Sequence, residues 1–172
     1  YAERSFRMFD PEQRALVLFT SGTTGTPKAV PLTWNNLIGA ATAANTALST
    51  PGSGIWQLVL PLYYISGFQI VLRSIMNGNS FVLYEQFEAR QVMRDAGRLG
   101  VSHICVSDEM LHGMLGTGVS MLGYRCILMD GQALDPTMVS RVKRMGLKVY
   151  ASYGLTETCS AIAASRIDAQ FA

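Results

Sequence analysis

Residues 20–28 read T-S-G-T-T-G-T-P-K and bring Thr20, Ser21, Gly22, Thr23, Thr24, Gly25 and Lys28 together behind a short apolar run at 15–19. Glycines let a backbone curl with its N–H groups pointing inward, hydroxyls add donors, and Lys28 adds a full positive charge. That is the chemistry of a phosphate cradle. A flexible Ser/Thr/Gly surface loop has a similar composition. The place behind a strand-like run, and the lysine beyond Pro27, argue against a plain linker. Spacing excludes a P-loop: where that motif needs Gly, then Lys and Ser or Thr, this chain has Pro27, Lys28 and Ala29. Pro27 also has no N–H to donate.

A second constellation, Y-G-L-T-E, occupies 153–157. Tyr153 at a strand end can stack on a nucleobase, and Gly154 lets the backbone come close. Thr156 can donate to a phosphate oxygen, and Glu157 offers a hard oxygen ligand that suits Mg2+ shared with phosphates. Taken alone it reads better as a strand-to-loop turn with an exposed Thr-Glu pair, because short patterns occur by chance. Its company with the 20–28 loop changes that balance.

The elements that must carry these loops follow from composition and period. At 172 residues the chain fits one domain, and 49% hydrophobic against 15% charged residues puts much of it inside. A net charge of +2 is too small to point to nucleic acid or a membrane surface. The odd set Cys105, Cys126 and Cys159 fits no disulfide framework; the first two sit in strand-like runs as buried thiols, while Cys159 lies near the second constellation and stays open. His103 and His112 have no zinc spacing. No signal peptide or membrane-length apolar run is visible, so the cytoplasm is the expected location. The chain starts at Tyr1 and stops just past a motif, which reads as a piece of something longer.

Residues 1–14 form a polar, aromatic arm, and 15–172 one α/β unit. Strands are expected at 15–19, 55–60, 80–84, 102–106, 125–129 and 148–152. Helices are expected at 34–48, 66–77, 88–99, 108–115 and 136–145, with Thr33, Ser107 and Asp135 as caps and Gly100 and Gly146 as stops. Alternating β and α elements with strands too apolar to face water predict an α/β fold, a largely parallel sheet flanked by helices. Such sheets bind ligands at the carboxyl ends of their strands, where the loops at 20–28, 63–67, 130–134 and 153–157 are all expected.

The combination T-S-G-T-T-G-x-P-K … Y-G-L-T-E resembles the adenylate-forming (AMP-binding) superfamily, which includes acyl- and aryl-CoA synthetases. L-P-L-Y-Y-I-S-G at 60–67 resembles that family's P-L-x-H-x-x-G segment, and D-G-Q-A-L at 130–134 its G-G-A-P-L loop. The likeness runs from about Leu16 to the C-terminus. Ala29, Trp34, the Leu72-Arg73-Ser74 run and T-E-T-C-S bring the o-succinylbenzoate–CoA ligases of menaquinone synthesis nearest; another aryl- or acyl-CoA ligase remains open.

The resemblance implies ATP, Mg2+ and coenzyme A as reaction partners of a small carboxylic acid. The carboxylate would attack the α-phosphorus, and CoA would capture the acyl-adenylate. Thr20, Ser21, Gly22, Thr23, Thr24, Gly25 and Lys28 match the loop on the β- and γ-phosphates. Tyr153 and Gly154 match the adenine contact, and Gly131, Gln132 and Ala133 the lining of the adenine and acyl pockets. Thr156 matches a phosphate contact and Glu157 the magnesium ligand; these two and Lys28 are the expected catalytic groups. Tyr64, Ser66, Gly67, Arg73 and Asp130 are the expected substrate-pocket residues. Arg73 needs a partner on its apolar helix: a surface position or a buried acid comes first, and the second carboxylate of an aryl acid is the other option. Three departures stand out: Tyr64 where the family usually has histidine, Asp130 in place of glycine, and Asp108 in place of proline. The family's ribose-binding aspartate, hinge and mobile C-terminal domain with the adenylation lysine would lie beyond residue 172. A nucleotide-binding or interaction domain without catalysis is the alternative.

Overall fold

The computed structural model describes residues 10–21, 26–48, 50, 52–131 and 135–167. It contains β1 (Arg14–Thr20), β2 (Lys28–Thr33), α1 (Trp34–Ala47), β3 (Ile55–Leu58), α2 (Ile65–Asn77), β4 (Ser80–Leu83), α3 (Ala89–Leu99), β5 (His103–Val106), α4 (Asp108–Gly116), β6 (Cys126–Met129), α5 (Pro136–Arg144), β7 (Val149–Leu155), a single 3-10 turn (Thr156–Thr158) and β8 (Ser160–Arg166). The sheet order is β4-β3-β5-β6-β7-β8. Its neighbours run parallel except β8, which is antiparallel to β7. The expected α/β class and largely parallel sheet are therefore present.

Both faces of the sheet are covered, which explains the unbroken apolar runs in its strands. Side chains alternate across a strand. On one face Ile104, Val106, Ile127, Met129 and Val149 pack with Val92 and Met93 of α3, Leu111 and Met114 of α4, and Met138 and Val142 of α5. On the other, Trp56, Leu58, Cys105, Cys126 and Leu128 pack with Leu48, which caps α1, and Ile70 of α2. Cys105 and Cys126 are thus buried free thiols, as expected.

The helices begin where side-chain caps are available. Thr33 accepts from the Asn36 N–H while Asn36 Oδ1 accepts from the Thr33 N–H, closing a capping box on α1. Ser107 caps α4 and Asp135 caps α5, with Pro136 in its first turn. Gly67 has a packing duty: a Cβ there would stand 2.3 Å from the Pro61 carbonyl oxygen, so only glycine lets α2 sit against the loop after β3.

One expectation is corrected. The strand before the 20–28 loop does not join the parallel sheet, so that loop is not carried by one of its strands. β1 and β2 form a separate antiparallel pair, with Thr20 opposite Lys28. Leu18, Val30 and Leu32 on its inner side pack with Leu37, Ile65 and Cys159, while Val17 and Phe19 are exposed. Pro31 is tolerated because β2 is an edge strand. Among the described residues no helix is long and apolar enough to cross a membrane.

Candidate functional site

The hairpin and the end of β7 meet. Lys28 opens β2, Glu157 sits in the 3-10 turn after β7, and Lys28 Nζ lies 3.5 Å from Glu157 Oε1. The cluster of Leu18, Val30, Leu32 and Cys159 draws them together, because Cys159 closes the turn and buries its side chain among the hairpin residues. Burial raises the Cys159 thiol above its ordinary range, so it packs as a neutral apolar group. Cys159, left open by the sequence, is therefore structural.

The side chains of both ion-pair partners remain exposed, at 65% for Lys28 and 41% for Glu157. Such a pair exchanges readily for other ligands. Among the described residues there is no cluster of three or more metal-ligating side chains. A cation at Glu157 would take this carboxylate and complete its shell with phosphate oxygens and water. That shell is the one Mg2+ favours, so the donor set fits.

Around the pair, Thr20 and Thr156 are half-buried and Ser21 is exposed. Tyr153 is 64% exposed, leaving a ring face open for stacking. Gly154 sits at a register irregularity between β7 and β8. A Cβ there would stand 1.9 Å from the Ser160 carbonyl oxygen, so the crossing requires glycine. Gly131 has φ +93°, a conformation that favours glycine. Half-buried Asp130 lies at the end of β6, its Oδ1 accepting from the Ser152 hydroxyl at 3.4 Å. Gly22, Thr23, Thr24, Gly25, Gln132 and Ala133 lie outside the described residues.

A groove of about 330 Å3 runs beside Glu157, lined by Gly39, Ala40 and Ala43 of α1 and by Cys159 and Ile162. It shares Ala40, Cys159 and Ala161 with a narrow cleft that ends on Gln69 and Arg73 of α2. Arg73 is 3% exposed, donates through Nε to the Gln69 carbonyl, and lies 4.9 Å over the Trp56 ring. Among the described residues it has no carboxylate partner, against the first expectation for it. Burial lowers its pKa, partly offset by Cys105, Cys126 and Asp130. Gln69 Oε1, on the same cleft, has no hydrogen-bond partner among the described residues. Sequence reading missed Gln69 and the small-residue face of α1; Gly39, Ala40, Ala43 and Ala44 at helical spacing were the signal available.

Tyr64, Ser66 and Gly67 stand at the start of α2. Tyr64 is exposed, and its ring lies 4.7 Å from that of Tyr63. These three line neither the groove nor the cleft.

The family model described as AMP-binding enzyme matches residues 2–171. The 2-succinylbenzoate–CoA ligase of Staphylococcus epidermidis is 33% identical over 153 residues, 88% of this chain and 32% of that protein. The chain thus spans about a third of the length of the curated relatives it matches. The structure of O-succinylbenzoate coenzyme A synthetase (MenE) from Bacillus subtilis with AMP superposes with a TM-score of 0.87 at 31% identity, over 92% of this chain and 41% of that one. The same enzyme with ATP and magnesium ion gives 0.87 at 30% identity, over 92% and 34%. With a family model spanning nearly its whole length and the motif residues converging as described, the chain belongs to the AMP-binding enzyme family.

Proposed function

We propose that this chain forms the triphosphate- and acid-binding core of an AMP-forming acid–CoA ligase whose acid is o-succinylbenzoate. A carboxylate oxygen bonds to the α-phosphorus of ATP as the bond to pyrophosphate breaks. The thiol sulfur of CoA then bonds to the acyl carbon, and AMP leaves. The 3.5 Å approach of Lys28 to Glu157 carries this reading, since it brings the two motif regions to one point.

Lys28 and the residues 20–25 hold the β- and γ-phosphates, and Thr156 donates to a phosphate oxygen. Tyr153 and Gly154 take the adenine, with Gly131, Gln132 and Ala133 beside it. Glu157 would hold Mg2+, which when bound would neutralise charge growing on the leaving pyrophosphate. The groove receives the acid with its reacting carboxylate toward Glu157, and Arg73 with Gln69 meets the second carboxylate once the cleft leading to them, too narrow for a water molecule as it stands, has opened. Tyr64, Ser66 and Gly67, which lie outside the groove, border the path of CoA together with Asp130. Since ATP and CoA are cytoplasmic pools, we infer that location.

Incubating the complete gene product with ATP, Mg2+, CoA and o-succinylbenzoate should give AMP and the acyl-CoA by mass spectrometry. AMP formation with a different aryl or acyl acid alone would move the substrate. A second reading, a nucleotide-binding unit that forms no adenylate, is favoured by Tyr64, an exposed phenol packed on Tyr63. It predicts Mg2+-dependent ATP binding with no AMP released under any acid.

A further inference from the structure

The 3-10 turn that carries Thr156 and Glu157 is an awkward piece of backbone. Directly after it, Cys159 has φ 59° and Ser160 φ 82°, two successive non-glycine residues in a conformation that L side chains rarely adopt. Such strain persists only where neighbouring groups over-determine it. Here one hydroxyl adds to the hold of the Cys159 N–H on the Thr156 carbonyl and of the buried Cys159 side chain. Thr158 Oγ1 accepts from the Leu155 N–H at 2.8 Å and lies 2.9 Å from both the Leu155 and the Ser160 carbonyl oxygens. A hydroxyl has a single proton, so the two carbonyls share it while a lone pair takes the N–H. The last residue of β7 is thereby tied to the first residue of β8 across the turn. Gly154 allows the Ser160 carbonyl to come this close to β7.

We propose that Thr158 is a positioning residue that fixes the direction in which Thr156 and Glu157 face the nucleotide. This rests on the reading of Glu157 and Thr156 given above. Glu157 is half solvated and its only partner among the described residues is the exposed Lys28, so its own contacts do not hold it. The Thr158 bridge holds the backbone beneath it instead. Groups that orient a metal ligand in this way typically change metal affinity or activity by about 10–100-fold when removed.

The test uses the complete gene product with Thr158→Val, Thr158→Ala and Thr158→Ser. Binding of Mn2+·ATP is followed by the paramagnetic resonance signal of free Mn2+, and exchange of the Leu155 amide hydrogen by mass spectrometry. In Thr158→Val the Leu155 N–H loses its acceptor and should exchange about tenfold faster or more. Mn2+·ATP affinity should fall about tenfold or more, and the Mg2+ concentration for half-maximal pyrophosphate exchange should rise with it. Thr158→Ser keeps the hydroxyl and should restore both readouts. If Thr158→Val does not fold, Thr158→Ala carries the comparison. Wild-type affinity and wild-type amide exchange in the folded Val or Ala variant would overturn the proposal alone. A wild-type protein that binds no Mn2+·ATP would overturn it together with the reading it rests on.

Discussion

Lys28 Nζ and Glu157 Oε1 lie 3.5 Å apart although 129 positions separate them in the chain. Both side chains are largely solvated, so the pair adds less than about 1 kcal/mol to folding. Its significance is positional. An antiparallel hairpin outside the main sheet delivers a cation to the carboxylate at the end of β7, and an incoming Mg2+·triphosphate can separate the two, each toward the opposite charge.

Lys28→Ala should therefore weaken ATP binding about tenfold or more, the worth of a charge-assisted hydrogen bond to a phosphate, and AMP binding far less. Calorimetric titration of both nucleotides decides it. Equal losses for ATP and AMP would remove Lys28 from the phosphate grip. The urea midpoint should barely move.

Arg73→Met should separate function from stability. The guanidinium is buried with no carboxylate in ion-pair contact among the described residues, so its desolvation is offset in part by the Trp56 ring, one carbonyl and the more distant Asp130. An apolar side chain of similar length should leave the thermal midpoint equal or higher. Affinity for a dicarboxylic aryl acid should fall by roughly 2–5 kcal/mol, with a monocarboxylic analogue little affected. A large loss of stability, or equal losses for both acids, would contradict the assignment.

Two glycine substitutions should move in opposite directions. Gly97 in α3 has nothing within 4 Å of an added Cβ, so Gly97→Ala should stabilise by about 0.5–1 kcal/mol. Gly67→Ala puts its Cβ 2.3 Å from a backbone oxygen and should destabilise by more than about 2 kcal/mol. Urea denaturation of the pair, with the wild type as reference, checks the packing of α2 on the loop after β3.

His103 predicts an acid sensitivity. Burial, then Arg125 and Arg73, push its pKa down to about 4. Its ring stacks on Trp56, with Ser102 Oγ 2.6 Å from Nδ1. Between pH 6.5 and about 4 the unfolded chain binds a proton that the folded chain does not, so stability falls as pH falls through that window. The loss reaches roughly 3 kcal/mol near pH 4 and then levels off. His103→Gln should flatten the urea midpoint across that range; an unchanged slope would assign the acid sensitivity elsewhere.

The helices were legible because their signals are local: Thr33, Ser107 and Asp135 cap as their types suggest, and Gly100 ends α3 in the left-handed conformation. So were the central strands, buried on both faces and hence apolar throughout. β2 and β8 were not. Pro31 interrupts one, and the other is mostly alanine and serine with a single buried residue, so neither shows the pattern of a core strand. That β1 turns away from the parallel sheet depends on pairing with β2, which no local pattern announces. The site residues divide the same way. Lys28 and Glu157 stood out by chemistry in their motifs, whereas Gln69 and Thr158 act through partners visible only once α1, α2 and β8 are assembled. Arg73 was visible as a cation on an apolar helix, but its lack of an acid in ion-pair contact among the described residues was not.

The central claim is that the two motif regions grip one Mg2+·triphosphate during acid activation. Exchange of labelled pyrophosphate into ATP by the complete gene product tests it most directly, because it reports the first half-reaction without CoA. Exchange should require both Mg2+ and o-succinylbenzoate, and should fall at least a hundredfold in Lys28→Ala and in Glu157→Gln. Exchange that proceeds without any acid, or that survives both substitutions, would contradict the account.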